Sequence, residues 1–425
     1  MPYFKPISIS LSPNVENDDV KMALRLIFQP WRWKRGRSAN ELEDNFRKYL
    51  GVKYAFSFNS GRSSLFAILK ALNLKNGSNV FLQAFTCNAA VNPILWQKLN
   101  PIYIDCDANN FNMDLGDLRN KITKNPEVKI LMIQHTFGMP ADMDKIMSIV
   151  RQHGLILIED CAHSLGAEFH GQKLGTFGKV AFFSFSRDKV ISSVYGGMAV
   201  TNDDKIGKNL QRVQADFGMP NYFWILQQLL HPVLLNYIIL PIYNFLDLGK
   251  IFLVLSQWFY ILSKAVHKKE KRGEKPDYFP KALPSALATM AFNQFKKLDK
   301  FYQHREKISR FYYENLKGTS FSVSDDLLPE NLFSKNIKHS FLRFTVKHKN
   351  AHEIIYQSWH KQNILLGDWY TTPIAPFDTK LDQMHYRSGS CSNAEYLAKI
   401  TLNLPTHINI SQNNAERIIN FLKRF

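Results

Sequence analysis

Several features that mark secreted, metal-held or nucleic-acid-binding chains are scarce in this sequence. It has only four cysteines in 425 residues, Cys87, Cys106, Cys161 and Cys391. They form no C-x-x-C pair and no even framework of spacings, so they read as reduced thiols of a cytosolic protein rather than as disulfides, and no metal site is expected. The opening stretch, MPYFKPISISLSPNVEND, lacks a basic segment followed by an apolar one, and no signal peptide is predicted. Zinc-finger, helix-turn-helix and RNA-binding signatures are missing too, which argues against nucleic acid. Acid is scarce relative to base: 36 Asp and Glu stand against 54 Lys and Arg, a formal net charge of +18. That excess points instead to an anionic membrane surface or to phosphorylated substrates.

Long uninterrupted apolar runs are also lacking. Residues 221–246 contain no Asp, Glu, Lys or Arg, and residues 251–263 are again uncharged; a basic tail of Lys264, Lys268, Lys269, Lys271, Arg272 and Lys275 follows. A membrane-spanning helix needs about 20 predominantly apolar residues. Here Pro232 and Pro241 interrupt the first run, with Gln227, Gln228, His231, Asn236 and Asn244 scattered through it. A helical hairpin lying in the bilayer interface, anchored by Trp224, Trp258, the tyrosines and the basic tail, fits this pattern better. The competing expectation is a buried helical insertion or an oligomer interface. Trp31-Arg32-Trp33-Lys34-Arg35 reads either as an exposed loop or as a second contact with an anionic surface.

What is present is regular. The composition, 45% apolar and 21% charged, is that of a globular chain long enough for two domains or for one with a smaller companion. An amphipathic helix is predicted before residue 50, with Ser38 as its N-cap and Leu42, Phe46 and Leu50 at four-residue spacing. From Tyr54 strands and helices alternate: strands over 54–58, 79–82, 101–104, 128–134 and 155–159, and helices over 63–72, 88–99 and 143–153. Such alternation predicts an α/β fold with a mostly parallel central sheet and helices on both faces. Ligands bind such sheets at the carboxyl ends of the strands, where residues 59–64, 83–87, 160–163 and 184–189 would meet. A long helical pattern runs over 287–316, then strands over 341–346 and 364–367, a helix over 351–362 and a final helix over 411–425. The expected organisation is a large α/β domain over 1–214, a hydrophobic and then basic helical insertion over 215–275, and a long helix with a small α+β domain over 276–425.

The chemistry concentrates in residues 155–200. LILIED ends a strand in Glu159 and Asp160, and a second apolar run, 180–185, stops at Ser186-Arg187-Asp188-Lys189. Lysine is usually solvated, but one placed just past a buried strand is desolvated. Its pKa falls, and it becomes a nucleophile toward an aldehyde. Asp160 is placed to pair with the protonated ring nitrogen of an electron-sink cofactor. Ser184, Ser60, Gly61 and Ser63 offer hydroxyls and backbone N–H groups to a phosphate at a turn entering a helix.

These stretches, and others in the same order, resemble the DegT/DnrJ/EryC1/StrS family of pyridoxal-phosphate-dependent sugar aminotransferases, which has the type I fold of aspartate aminotransferase. The matching pieces include ELEDNFRKYLG, NSGRSSLFAILKALNL, VFLQAFTCNAAVNPIL, PIYIDCDANNFNMD and FGMPADMDKI; the most specific are EDCAHSLGAEFHGQKLGTFG and FFSFSRDK with its trailing GG. The resemblance implies that the cofactor is pyridoxal 5′-phosphate, that Lys189 joins its aldehyde, that Asp160 pairs with its ring nitrogen and that Ser184 binds its phosphate. His163 stands where the family often has Gln, near the cofactor's 3-oxygen, where its charge would be sensitive to pH. Arg62 replaces the threonine of the family's SGT, and a guanidinium serves a phosphate as well. Cys87 stands where many members stack an aromatic on the ring, and Phe279-Pro280-Lys281 replaces an N-x-R segment thought to reach a partner subunit. Tyr370, in GDWYTTPIAP, is placed to line the acceptor pocket.

The implied reaction moves an amino group from a donor, glutamate in this reading, to a nucleotide-linked keto-sugar in surface polysaccharide or glycoconjugate synthesis. The resemblance also implies a homodimer; with the insertion, it gives a cytoplasmic enzyme peripheral on the inner face of the membrane. One alternative keeps the chemistry on a lipid-linked or other membrane-embedded ketone. Another is a non-catalytic cofactor-binding regulator, against which Lys189 and Asp160 argue. A sugar dehydratase of the same fold would often carry His at the lysine position.

Overall fold

The computed structural model describes residues 5–323 and 336–425. Seven short strands form its central sheet: β1 (Tyr54–Phe58), β2 (Asn79–Gln83), β3 (Asn100–Ile104), β4 (Ile130–Gln134), β5 (Ile156–Asp160), β6 (Val180–Ser184) and β7 (Gly197–Thr201). They lie side by side in the order β1-β7-β6-β5-β4-β2-β3. All pairings from β6 to β3 are parallel, and β7 runs antiparallel to both its neighbours. The central strands are apolar except at their carboxyl ends, and all five residues of β4, ILMIQ, are buried. A parallel sheet produces this pattern because helices cover both of its faces.

Those helices are α1 (Asn17–Ile27), α2 (Ser38–Leu50), α3 (Gly61–Ala71), α4 (Asn88–Trp96), α5 (Leu115–Lys124), α6 (Met143–His153) and α7 (Asp204–Asp216). Side chains alternate along each strand, so neighbouring residues enter different cores. Phe81, Leu131, Ile133 and Leu157 join Leu42 and Phe46 of α2 and Ile146 and Ile149 of α6. Val80, Leu82, Ile130, Met132 and Ile158 join Leu65 and Ile68 of α3, Val91 and Ile94 of α4 and Leu210 of α7. The spacing of Leu42, Phe46 and Leu50 does bury one face of α2. Ser38, however, is the first helical residue rather than its cap, and its hydroxyl accepts a bond from Thr289 Oγ1 at 2.9 Å.

Residues 215–275 divide into two unlike parts. Helix α8 (Tyr222–Leu234) is buried along Trp224, Ile225, Gln228, Leu229 and His231 and packs on α1. Its Pro232 supplies no N–H to the helix, and the chain then widens into a π-type turn over Leu235–Ile239. The buried-insertion expectation therefore describes α8. Helix α9 (Leu248–Trp258) is the reverse of a normal surface helix: its buried residues are Gly249 and Ser256, while Ile251, Val254 and Trp258 face outward. Among the described residues, no helix is long and apolar enough to cross a membrane.

The helical pattern over 287–316 is two helices, α10 (Ser285–Phe295) and α11 (Leu298–Leu316). At the break Lys297 meets Glu16, Asp18 and Asp19. Beyond them, α12 (Ala351–Gln362), α13 (Ser392–Ile400) and α14 (Gln412–Leu422) accompany an antiparallel pair, β8 (Phe344–Lys347) and β9 (Thr401–Leu404). Tyr312, Phe344, Ile354, Leu402 and Ile418 belong to a separate core there.

Candidate active site

The carboxyl ends of β4, β5 and β6 carry Gln134, Asp160 and Ser184 to one edge of the sheet. The turn that starts α3 and the loop leading to β7 complete a cavity of about 210 Å³, lined among others by Ser60, Gly61, Arg62, Cys87, His163, Lys189, Trp369 and Tyr370. Two glycines let these pieces close. A Cβ on Gly61 would lie 3.0 Å from Ser184 Cβ, and one on Gly197 would lie 2.5 Å from the Ser60 carbonyl carbon. The first turn of α3 is thereby pressed against Ser184, and its N–H groups, which no helix can satisfy internally, stand beside a hydroxyl.

Strand alternation separates the two adjacent acids of β5. Glu159 turns away from the cavity and accepts three backbone bonds, from Gly175, Phe177 and Gly178, at 2.7–2.9 Å, so it locks a loop. Asp160 lines the cavity and accepts one such bond, from Ala162 N at 2.9 Å. Burial pushes its carboxyl up to about 6, against the pull of Ala162, Lys189 and His135. A cationic ring nitrogen would lower it again by supplying the missing counter-charge.

Lys189 follows β6 by five residues. Burial pushes its ammonium down to about 8, and its Nζ lies 4.7 Å from the centre of the Trp369 ring. Its backbone is held from a distance: Asn14 Nδ2 donates to the carbonyls of Lys189 and Val190, and the buried Arg305 donates to Asn14 Oδ1 at 2.7 Å and to Val190 O at 3.2 Å. Asn14 and Arg305 lie 175 residues before and 116 after the lysine, so no local pattern marks them.

His163 is fully buried against Trp369, Phe137 and Tyr370. Its Nδ1 accepts from Phe137 N at 3.2 Å, and Tyr370 Oη lies 3.4 Å from Nε2. Burial, with Lys189 and Arg343 nearby, holds its pKa well below the ordinary value. Against the expectation of a pH-sensitive charge, burial favours the neutral ring.

Ser63 departs from its expected place. Its hydroxyl donates to Asn59 Oδ1 at 2.7 Å and accepts from Ser60 Oγ at 3.0 Å, inside the turn; Ser60 lines the cavity instead. Cys87 lines the cavity, caps α4 through Ala89 N, and burial pushes its thiol up. Arg62 lines the cavity with its charge already matched, because it forms a buried ion pair with Glu270 and also donates to Ala265 O at 3.3 Å. Gln134, Trp369 and Arg187 had no signal in the sequence beyond their proximity to expected strand ends or to Tyr370, and Glu270, within the basic stretch 264–275, had none.

These groups suit a planar, aldehyde-bearing phosphate ester: an amine near its reactive range, a carboxylate in no ion pair among the described residues, and a serine-rich turn at a helix start. The profile of the DegT/DnrJ/EryC1/StrS aminotransferase family matches residues 14–226 and 279–423, leaving most of the insertion outside. The chain is 24% identical to GDP-perosamine synthase of Caulobacter vibrioides over 408 residues, 96% of this chain and 95% of that one. It is 25% identical to UDP-N-acetyl-3-dehydro-alpha-D-glucosamine 3-aminotransferase of Acidithiobacillus ferrooxidans, over 96% and 94% of the two chains. Among solved structures, Helicobacter pylori PseC, an aminotransferase involved in the biosynthesis of pseudoaminic acid, shares the fold with a TM-score of 0.74 at 20% identity, covering 99% of each chain.

Proposed function

Because the chain belongs to the DegT/DnrJ/EryC1/StrS family of aminotransferases, which use pyridoxal 5′-phosphate, we propose that it transfers the amino group of glutamate to a nucleotide-linked keto-sugar used in surface polysaccharide or glycoconjugate synthesis. The observation that carries this reading is Lys189 and Asp160 lining one cavity at the start of α3. The full-length relatives named above support the nucleotide-sugar class. We assign Lys189 to the cofactor's aldehyde, Asp160 to its ring nitrogen, and Ser184 with the Ser60–Gly61–Arg62 turn to its phosphate. When bound, the cofactor supplies an electron sink for the donor's α-carbon.

The chain's own residues do the rest. Lys189 Nζ, whose ammonium burial pushes down to about 8, would remove the donor's α-proton and later return it. Asp160, as a carboxylate, would hold a proton on the ring nitrogen. His163, neutral and fixed by Phe137 N, orients the ring without adding charge, and Tyr370 and Trp369 shape the acceptor side. A screen of half-reactions tests the reading: cofactor absorbance should convert with glutamate and revert with a diphosphate-linked keto-sugar. No reversion with any keto-sugar would overturn the substrate class while leaving the aminotransferase intact.

The neutral amine is the form that attacks an aldehyde, so reconstitution of the cofactor-free protein should follow the ionisation of Lys189. The capture rate should rise about tenfold per pH unit below 8 and level off above it. A midpoint near 10.5 in stopped-flow absorbance would show that the amine is solvated.

We also propose a homodimer, and a peripheral position on an anionic membrane surface at its cytoplasmic face. The second rests on α9 and its flanks: Leu246 is 79% exposed and Trp258 73%, and the basic tail from Lys264 follows. A second copy of a chain with a net charge of +18 is a poorer occupant than an acidic lipid. The protein should pellet with phosphatidylserine-containing vesicles at low salt, and an Ile251→Ser, Val254→Ser, Trp258→Ser variant should partition at least about 100-fold less. Wild-type protein remaining in the supernatant sinks the idea. A lipid-linked acceptor is the second reading that this face favours.

A further inference from the structure

We infer that Arg187 is a phosphate-binding residue of the active-site cavity. It follows Ser184 by three residues, precedes Lys189 by two, lines the cavity and is 8% exposed. The two arginines of that lining differ in how their charge is met. Arg62 is paired with Glu270. Arg187 forms no ion pair among the described residues: its Nη2 donates to Ser263 O at 2.6 Å and to Ser263 Oγ at 2.7 Å, both neutral, and its buried Nε has no hydrogen-bond partner. A guanidinium taken out of water with donors unspent is costly unless an anion completes it.

The surroundings favour a phosphate as that anion. Ser60, Ser184 and Ser186 line the same cavity. The guanidinium carbons of Arg62 and Arg187 lie 5.8 and 5.6 Å from the centre of one ring, Tyr195. Two guanidinium groups beside a helix start and three hydroxyls make a donor-rich wall that suits the several oxygens of a phosphate. Burial lowers the Arg187 pKa; Tyr195 and Asp188 only partly offset it, Asp188 without forming an ion pair with the guanidinium, and an incoming anion would raise it further.

The insertion holds this residue in place. Ser263 Oγ donates to Gln228 Oε1 of α8 at 2.7 Å while accepting from Arg187. Gln228 and Ser263 both fall outside the residues matched to the family, so the family profile does not account for this anchor. The phosphate has two possible sources, the cofactor's ester and the acceptor's diphosphate; the second rests on the nucleotide-linked reading above.

Calorimetry of the full-length, cofactor-free protein with inorganic pyrophosphate tests the assignment directly. Arg187→Met should weaken binding by about 10- to 100-fold, and Arg187→Lys should recover part of it. Two further arms separate the sources. A weaker cofactor dissociation constant in Arg187→Met assigns the residue to the cofactor's phosphate. A raised KM for a diphosphate-linked acceptor, with the cofactor constant unchanged, assigns it to the acceptor. Should Arg187→Met not fold, Ser263→Ala keeps the guanidinium but removes an anchor and should weaken pyrophosphate several-fold. Wild-type pyrophosphate binding in the folded variants, or a change confined to the KM of the amino donor, overturns the proposal. The pyrophosphate arm stands whatever ketone is aminated, so failure of the acceptor reading is distinguishable from failure of this one.

Discussion

Lys189→Ala should abolish the borohydride-stable adduct with the cofactor and lower amino-group transfer by at least about 10⁴-fold, the scale of losing a nucleophile and a proton carrier together. The argument is local and physical. The side chain is buried, its ammonium is driven down to about 8, and its Nζ is confined beside Trp369. Its backbone is clamped by Asn14, itself held by Arg305. Alanine removes the amine but leaves that clamp, so the variant should fold and still bind cofactor non-covalently through the phosphate end of the cavity. The measurement is a pair: mass spectrometry after borohydride, and single-turnover absorbance with glutamate. A variant that still gives the reduced adduct at one site, or that loses less than tenfold in rate, would remove Lys189 from the centre of the reaction.

Glu270→Ala should destabilise the protein by about 3–5 kcal/mol, because it strands a buried guanidinium. Arg62 and Glu270 have side chains that are 7% and 0% exposed. Burial alone would lower the Arg62 pKa, yet the Glu270 carboxylate holds it above the ordinary value. Glu270 also accepts at its backbone carbonyl from Asn92 at 3.0 Å and from Asn88 at 3.4 Å, which ties the segment to α4. The double variant Arg62→Met, Glu270→Met should recover most of the loss, since a buried pair replaced by apolar side chains of similar volume is often neutral. Urea unfolding of the cofactor-free protein reads both variants. A Glu270→Ala midpoint equal to the wild type would mean that Arg62 reaches water or another anion. The same variant bears on function, because Arg62 opens α3 and its loosening should weaken cofactor binding.

The α/β alternation was legible because each strand and helix carries its own period. The apolar five-residue runs and the Leu42-Phe46-Leu50 stripe report burial directly. The helix break at Lys296–Lys297 was not legible, since the apolar period continues through it and only the contacts of Lys297 with Glu16, Asp18 and Asp19 distinguish it. At the cavity, Asp160, Ser184 and Lys189 could be singled out because each follows an apolar strand. Ser63 looked equivalent to Ser60, and the turn alone decided which hydroxyl faces inward. The neutrality of His163 depends on Phe137, Trp369 and Tyr370, up to 207 residues away.

The insertion shows the same division. Its lack of charge was plain from the residues. That α8 is buried on α1 while α9 presents Ile251, Val254 and Trp258 outward over a Gly249–Ser256 contact follows from packing alone. By itself, then, the sequence determined the order of strands and helices and the identity of a lysine, an acid and a serine at strand ends, because those follow from local periodicity and spacing. Only the tertiary structure decided that Glu270 answers Arg62, that Ser263 and not a carboxylate meets Arg187, and which face of α9 stays exposed. Gly249 of α9 packs on Ile239 and Tyr243, while the two arginine contacts join residues 76 and 208 apart, where burial sets the cost of every unmatched group.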